Sequence, residues 1–134
     1  MGSQRIDVEQ VSEFWVAEAE DALRVAGHLM EKADYSYALF FGHLALEKIL
    51  KALYTARVRE HAPPIHSLLR LCKAIGLELD EARKEALIRI TAFNIEARYP
   101  DLKRNFRIKC TQTYSQQQMA VIKELYQWLQ SQIA

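Results

Sequence analysis

The sequence has few of the residues that interrupt regular structure. Its 134 residues include only four glycines and three prolines, so turns must be few and the segments between them long. The two cysteines, Cys72 and Cys110, have no Cys-x-x-Cys or Cys/His spacing, which argues against a disulfide framework and a zinc site. The four histidines also lack metal-ligand spacing. We therefore expect neither a metal nor a cofactor.

No apolar run approaches the roughly 18 residues that a membrane span requires. The first residues, Met1 to Arg5, lack the apolar core of a secretory signal. Together with the cysteine pattern, this predicts a cytoplasmic protein that does not contact membranes. The length fits one domain over residues 1–134, which can bury roughly two-thirds of the surface of the unfolded chain.

The formal net charge of +1 conceals two segments of opposite sign. Residues 7–34 hold eight acidic and two basic residues, and residues 98–109 hold five basic residues and one acidic residue. The two segments either attract one another, within one chain or across a dimer, or the basic segment meets phosphate groups. The sequence pI of about 7.8 is low for a general nucleic-acid-binding surface, so RNA is not favoured.

Apolar periodicity predicts five helices and no strand. The predicted helices cover residues 7–32, 34–59, 66–75, 81–97 and 113 to the C-terminus, whereas residues 98–112 have no clean period. Asp34 and Asp80 are expected N-caps, and Gly76 is expected to close the third helix. The predicted fold is all-α, an up-and-down bundle of four long helices plus one short helix.

The second predicted helix has two different faces. One arc is entirely apolar and is the expected core: Ala38, Leu39, Gly42, Ala45, Leu46, Ile49, Leu50, Ala52, Leu53 and Ala56. The other side mixes large apolar and polar residues, as a covered interface does. We expect a homodimer face there, with packing against the chain's own C-terminal segment as the alternative. The candidates are Tyr37, Phe40, His43, Leu44, Glu47 and Tyr54.

Three groups of polar residues are candidates for chemistry. His43, Glu47 and Lys51 recur at four-residue steps, which suits either helix-stabilising pairs or a general base tuned by a carboxylate. His66 follows two prolines and either caps a helix or reaches back to the second helix. Arg98 lies near a helix end, where it either binds a phosphate or carboxylate or pairs with neighbouring acids to order the turn.

These segments together resemble the HEPN domain family. The similarity rests on four stretches in this order: Tyr37-Ala38, the run from His43 to Ala52, Pro64-x-His66-x-Leu68, and Ala97-Arg98-Tyr99-Pro100-Asp101. It covers about residues 10–130. The resemblance implies a bundle of four or five helices, dimerisation, and a cytoplasmic role close to nucleotides or RNA. Small prokaryotic members often accompany a minimal nucleotidyltransferase as a toxin–antitoxin pair.

The resemblance also implies ribonuclease activity as a candidate function, because many HEPN proteins are metal-independent endoribonucleases with an R-x4-6-H motif. No histidine follows His66 here, and Arg59 and His66, which have that spacing, flank the proline loop instead. The sequence therefore favours a non-enzymatic homodimer that binds a nucleotide or a nucleotidyltransferase partner. A divergent ribonuclease toxin and a purely structural dimeric adaptor are the alternatives. The predicted ligand-binding residues are Lys48, Lys51, His66, Asn94, Arg98, Tyr99, Asp101, Lys103 and Arg104.

Overall fold

The computed structural model describes residues 6–133, and these residues form helices and connecting turns without a strand. The predicted all-α class is confirmed. The expected absence of a signal at Met1–Arg5 concerns residues outside this range. The helices are α1 (Val8–Glu31), α2 (Tyr35–Val58), α3 (Leu68–Ile75), α4 (Glu81–Glu96), α5 (Pro100–Lys109) and α6 (Gln112–Ser131).

Most of the described helices have a side chain that caps their N-terminus. Asp7, Ser67, Asp80 and Thr111 each accept a hydrogen bond from a backbone N–H three residues later, which caps α1, α3, α4 and α6. Gly76 closes α3 with a φ of 85°, a left-handed conformation that favours glycine. These local signals explain why the boundaries lie close to their predicted positions.

Helix α5 is the element that periodicity does not predict. It begins at Pro100, where the missing N–H costs nothing because the first turn has no intrahelical acceptor for it. Phe106 is its only buried residue, and it packs against Phe93 of α4 with ring centroids 5.4 Å apart. A helix that buries so little has no clear apolar stripe.

Helix α2 is the centre of the bundle and packs against α1, α3, α4, α5 and α6. Its predicted core arc is buried except for the half-buried Ala56. Gly42 lets α6 approach closely, since a Cβ at that position would lie 2.7 Å from Cδ1 of Ile122. On the α1 side, the Ser12 hydroxyl donates to the Ala52 carbonyl at 3.0 Å. No helix in residues 6–133 is long and apolar enough to cross a membrane.

Candidate functional site

The buried carboxylate of Glu47, on α2, contacts the side chains of Lys51 and His66. One oxygen of Glu47 accepts a hydrogen bond from Nζ of Lys51 at 3.0 Å, and the other lies 3.0 Å from Nδ1 of His66. The Glu47 side chain is 7% exposed, whereas that of His66 is 65% exposed. A buried carboxylate is costly unless donors satisfy both oxygens. Here one donor lies on the same helix and the other on the proline loop.

His43 lies beneath the same loop and has no exposed surface. Its Nε2 lies 3.1 Å from the backbone carbonyl of His66, so this nitrogen carries the proton and donates it. Burial lowers the pKa of His43 below its ordinary value of 6.5 and outweighs the His66 carbonyl and the Glu47 carboxylate, which raise it. The positive charge of Arg98 lowers the pKa further. His43 is therefore neutral at physiological pH.

These positions correct part of the predicted dimer face. His43 and Glu47 are interior residues, because the loop before α3 covers them through His66. Neither a second chain nor the C-terminal segment is needed to shield them. The other predicted members are half-buried on α2: Tyr37, Phe40, Leu44 and Tyr54.

The predicted ligand-binding residues divide into interior and surface groups. Lys51 and Asn94 are buried, and Lys48 is held by Glu18 at 3.2 Å. Lys51 is also committed to Glu47, so it stabilises the interior and is not free to bind a ligand. The accessible group is the exposed ring of His66 together with the turn after α4 and the first half of α5. Its members in that turn and helix are Arg98, Tyr99, Asp101, Lys103 and Arg104, of which Lys103 is half-buried.

Among the described residues, Arg98 does not pair with a neighbouring acid, which was one of its two predicted roles. Its Nε donates to the backbone carbonyl of Asn94 at 2.8 Å, and its guanidinium lies 6.0 Å from the centre of the Tyr99 ring. Within residues 6–133, no carboxylate lies within ion-pair distance of Arg98 or of the four cations that follow it, which are Lys103, Arg104, Arg107 and Lys109. This segment therefore presents uncompensated positive charge.

Two of these cations surround a tyrosine of α2. Nη2 of Arg107 donates to the Tyr37 hydroxyl at 3.1 Å, and Nζ of Lys103 lies 5.4 Å from the centre of the Tyr37 ring. Lys103 and then Arg107 lower the pKa of the Tyr37 phenol, because both favour its charged form. The basic helix α5 is thus joined to the first turn of α2.

The HEPN domain model matches residues 12–132, which is nearly the whole described chain. The chain belongs to the HEPN domain family. The crystal structure of TT1696 from Thermus thermophilus has a similar fold, with a TM-score of 0.77 and 22% sequence identity over 90% of this chain and 97% of that chain. At that identity the likeness concerns the fold alone. No curated protein matches the sequence.

In this HEPN chain, the three groups of polar residues that are candidates for chemistry lie around His43. The run from His43 to Lys51, the loop at His66 and the positive charge of Arg98 all act on that ring. Within residues 6–133, no group of three His, Cys, Asp or Glu side chains is placed to hold a metal ion. The site presents an exposed imidazole at His66 beside the positive charge of Arg98.

Sequence reasoning missed two contributors to this HEPN site. Trp15 of α1 is not among the predicted site residues, but Nζ of Lys51 lies 5.4 Å from the centre of its ring, within cation–π distance. Arg107 contributes only charge to the sequence pattern, although in the structure it binds Tyr37. The spacing of four between Lys103 and Arg107 was the available signal, since it places both on one helix face.

Proposed function

We propose that this HEPN protein is a non-enzymatic module that binds a nucleotide, a minimal nucleotidyltransferase partner, or both, as a homodimer. One observation carries the proposal: the segment from Arg98 to Lys109 holds five cations and no ion pair to another described residue. Phosphate groups are the anions that best match clustered guanidinium and ammonium groups. The basic segment would hold the phosphates of the ligand.

An aromatic surface beside these cations supports a nucleotide over a simple anion. Tyr99 is 55% exposed and lies directly beside Arg98. Exposed aromatic rings stack on nucleobases without needing a particular base. Arg98 and Lys103 would bind phosphate oxygens while Tyr99 contacts the base, and Asp101 would accept hydrogen bonds from the ligand.

Exposed apolar side chains support assembly with a second chain. Ile88 and Ile95 of α4 are exposed and lie seven positions apart, so they share one face of the helix, and Leu102 follows on α5. Exposed apolar groups gathered on one side are typical of protein interfaces. Ile95→Glu should lower the mass measured by light scattering if this face joins two copies, whereas Thr113→Glu, on exposed α6 surface, should not.

Calorimetric titration with ATP and GTP tests the ligand. We expect saturable binding that Arg98→Gln and Arg104→Gln each weaken about tenfold, the usual cost of losing a charged hydrogen bond. Arg70→Gln, which removes an exposed charge from α3, is the matched control and should bind as the unaltered protein does. No binding to any nucleotide, together with no nucleotidyltransferase that co-purifies, would refute the proposal.

One observation favours a second function, metal-independent ribonuclease activity. The His66 ring is exposed, and its Nδ1 contacts Glu47, so Nε2 is the candidate general acid or base. RNA cleavage in the presence of a chelator should then be lost in His66→Ala and in Arg98→Ala while both variants remain folded. If His66→Ala still cleaves RNA, His66 is not the proton-transfer group.

A further inference from the structure

A cleft opens at the start of α2, away from the buried Glu47. It has a volume of about 350 Å³ and lies between the turn before α2 and the C-terminal end of α5. Its lining comes from residues 33–37 together with Arg107 and Cys110. The backbone N–H groups of the first turn of α2 lie at this cleft, and the N-cap residue Asp34 does not accept a hydrogen bond from them with its side chain.

Ser36 is a second possible donor in the cleft. Ser36 is only 8% exposed, lines the cleft, and its hydroxyl forms no hydrogen bond with any residue in the range 6–133. Its oxygen is not one of the fully buried, unpartnered side-chain atoms of the described residues, so it stays accessible from the cleft. The Ser36 hydroxyl can donate one hydrogen bond to a group placed in the cleft.

Arg107 contributes positive charge from the opposite wall. Its only hydrogen bond within the described residues runs from Nη2 to the Tyr37 hydroxyl at 3.1 Å, so other N–H donors of the guanidinium remain available. Lys103 lies one helical turn earlier on α5, against the same tyrosine ring. Among the described residues that line the cleft, Asp34 is the one acidic residue, and it is exposed. Arg107 and the N-terminus of α2 oppose this single carboxylate and favour an anion.

We propose that this cleft binds a phosphate group, either free inorganic phosphate or the terminal phosphate of a nucleoside monophosphate. The first-turn N–H groups of α2, the Ser36 hydroxyl and the Arg107 guanidinium hold its oxygens. Binding of a nucleoside monophosphate rests on the proposed nucleotide function, whereas binding of inorganic phosphate does not. Donors from a helix N-terminus and an arginine together match the several acceptor oxygens and the charge of a phosphate.

Calorimetric titration with sodium phosphate, at an ionic strength held constant with sodium chloride, tests this site. We expect one saturable site per chain, with affinity about tenfold weaker in Arg107→Gln and at least about fivefold weaker in Ser36→Ala. Ser36→Ala breaks no hydrogen bond to a described residue and adds a better helix former, so its melting temperature without phosphate should not fall. Arg70→Gln is the charge-matched control and should retain full affinity.

Parallel titrations with adenosine monophosphate distinguish inorganic phosphate from a nucleotide as the ligand. They also distinguish failure of the cleft proposal from failure of the proposed nucleotide function. Weaker binding of the monophosphate in both Arg98→Gln and Ser36→Ala would place a nucleotide across the two regions and support the site. Phosphate binding that depends on Ser36, without binding of any nucleotide, would refute the nucleotide branch of the proposed function and still support the site. Absence of a saturable site for both ligands, or an equal loss of affinity in Arg70→Gln, would overturn the inference.

Discussion

The buried carboxylate of Glu47 lies 3.0 Å from Nδ1 of His66, a residue 19 positions later on the proline loop. The same carboxylate accepts a hydrogen bond from Lys51 one helical turn further along α2. Glu47 therefore ties an exposed histidine to the bundle interior and neutralises a buried lysine. Its loss should affect both the stability of the fold and the position of the loop.

Glu47→Gln keeps the size of the side chain but removes its charge. Lys51 then becomes a buried cation without a counter-ion, since its side chain is only 9% exposed. Breaking a buried ion pair from one side typically costs about 3 kcal/mol of unfolding free energy. Urea denaturation of the variant should show a loss of that order.

Two comparisons isolate the buried charge as the cause. Glu47→Gln combined with Lys51→Met removes the orphaned cation, so it should recover part of the lost stability. Lys48→Gln breaks the more exposed pair with Glu18 and should cost less than about 1 kcal/mol. A loss in Lys48→Gln as large as that in Glu47→Gln would contradict this explanation.

His43 should make the fold sensitive to mild acid. Because burial lowers its pKa in the folded state, the unfolded chain binds this proton first as pH falls through 6.5. Stability is thus fully present above that pH and declines below it, with a slope from this group approaching about 1.4 kcal/mol per pH unit. The decline ends once the pH passes below the folded-state pKa.

Denaturation curves measured between pH 8 and pH 5 test this dependence. Both limits lie at least about one pH unit from the ordinary histidine pKa of 6.5. His43→Gln keeps an N–H donor for the His66 carbonyl and lacks a titrating ring, so its stability should vary less with pH. His28→Gln changes a histidine outside this site and should follow the unaltered protein. Identical pH dependence in all three proteins would rule out His43 as the source.

The bundle was predictable from the sequence because its core is local and periodic. The apolar arc of α2 and the caps at Asp80 and Gly76 follow from side chains within a turn or two of each other. The burial of His43 was not predictable in this way, since its cover comes from a loop 23 positions away. Helix α5 was not predictable either, because Phe106 alone marks its inner side.

Tyr37 should ionise at a lower pH than an ordinary tyrosine. Lys103 and Arg107 lower its pKa, whereas burial raises the pKa of Tyr126 to about 12. Ultraviolet titration of tyrosinate should therefore lose its earliest step in Tyr37→Phe. Lys103→Gln and Arg107→Gln should each move that step to higher pH. If neither substitution moves it, the contact between α5 and Tyr37 is absent in solution.

Two glycines in helices should respond differently to substitution by alanine. A Cβ at Gly27 would meet no atom within 4 Å, so Gly27→Ala should stabilise α1 by roughly 1 kcal/mol. At Gly42 the Cβ would lie 2.7 Å from Cδ1 of Ile122, and the shift of that side chain should cancel or reverse the gain. Thermal denaturation gives both values. Equal gains at the two positions would contradict the close approach of α2 and α6.

Nuclear magnetic resonance titration of the labelled protein with ATP tests the central claim most directly, because it shows both whether a nucleotide binds and where. The account predicts saturable shifts of the backbone amides from Arg98 to Arg107 and of the loop at His66, with smaller shifts on α3. An unchanged spectrum at millimolar ATP, or shifts confined to surfaces away from the basic segment, would contradict it.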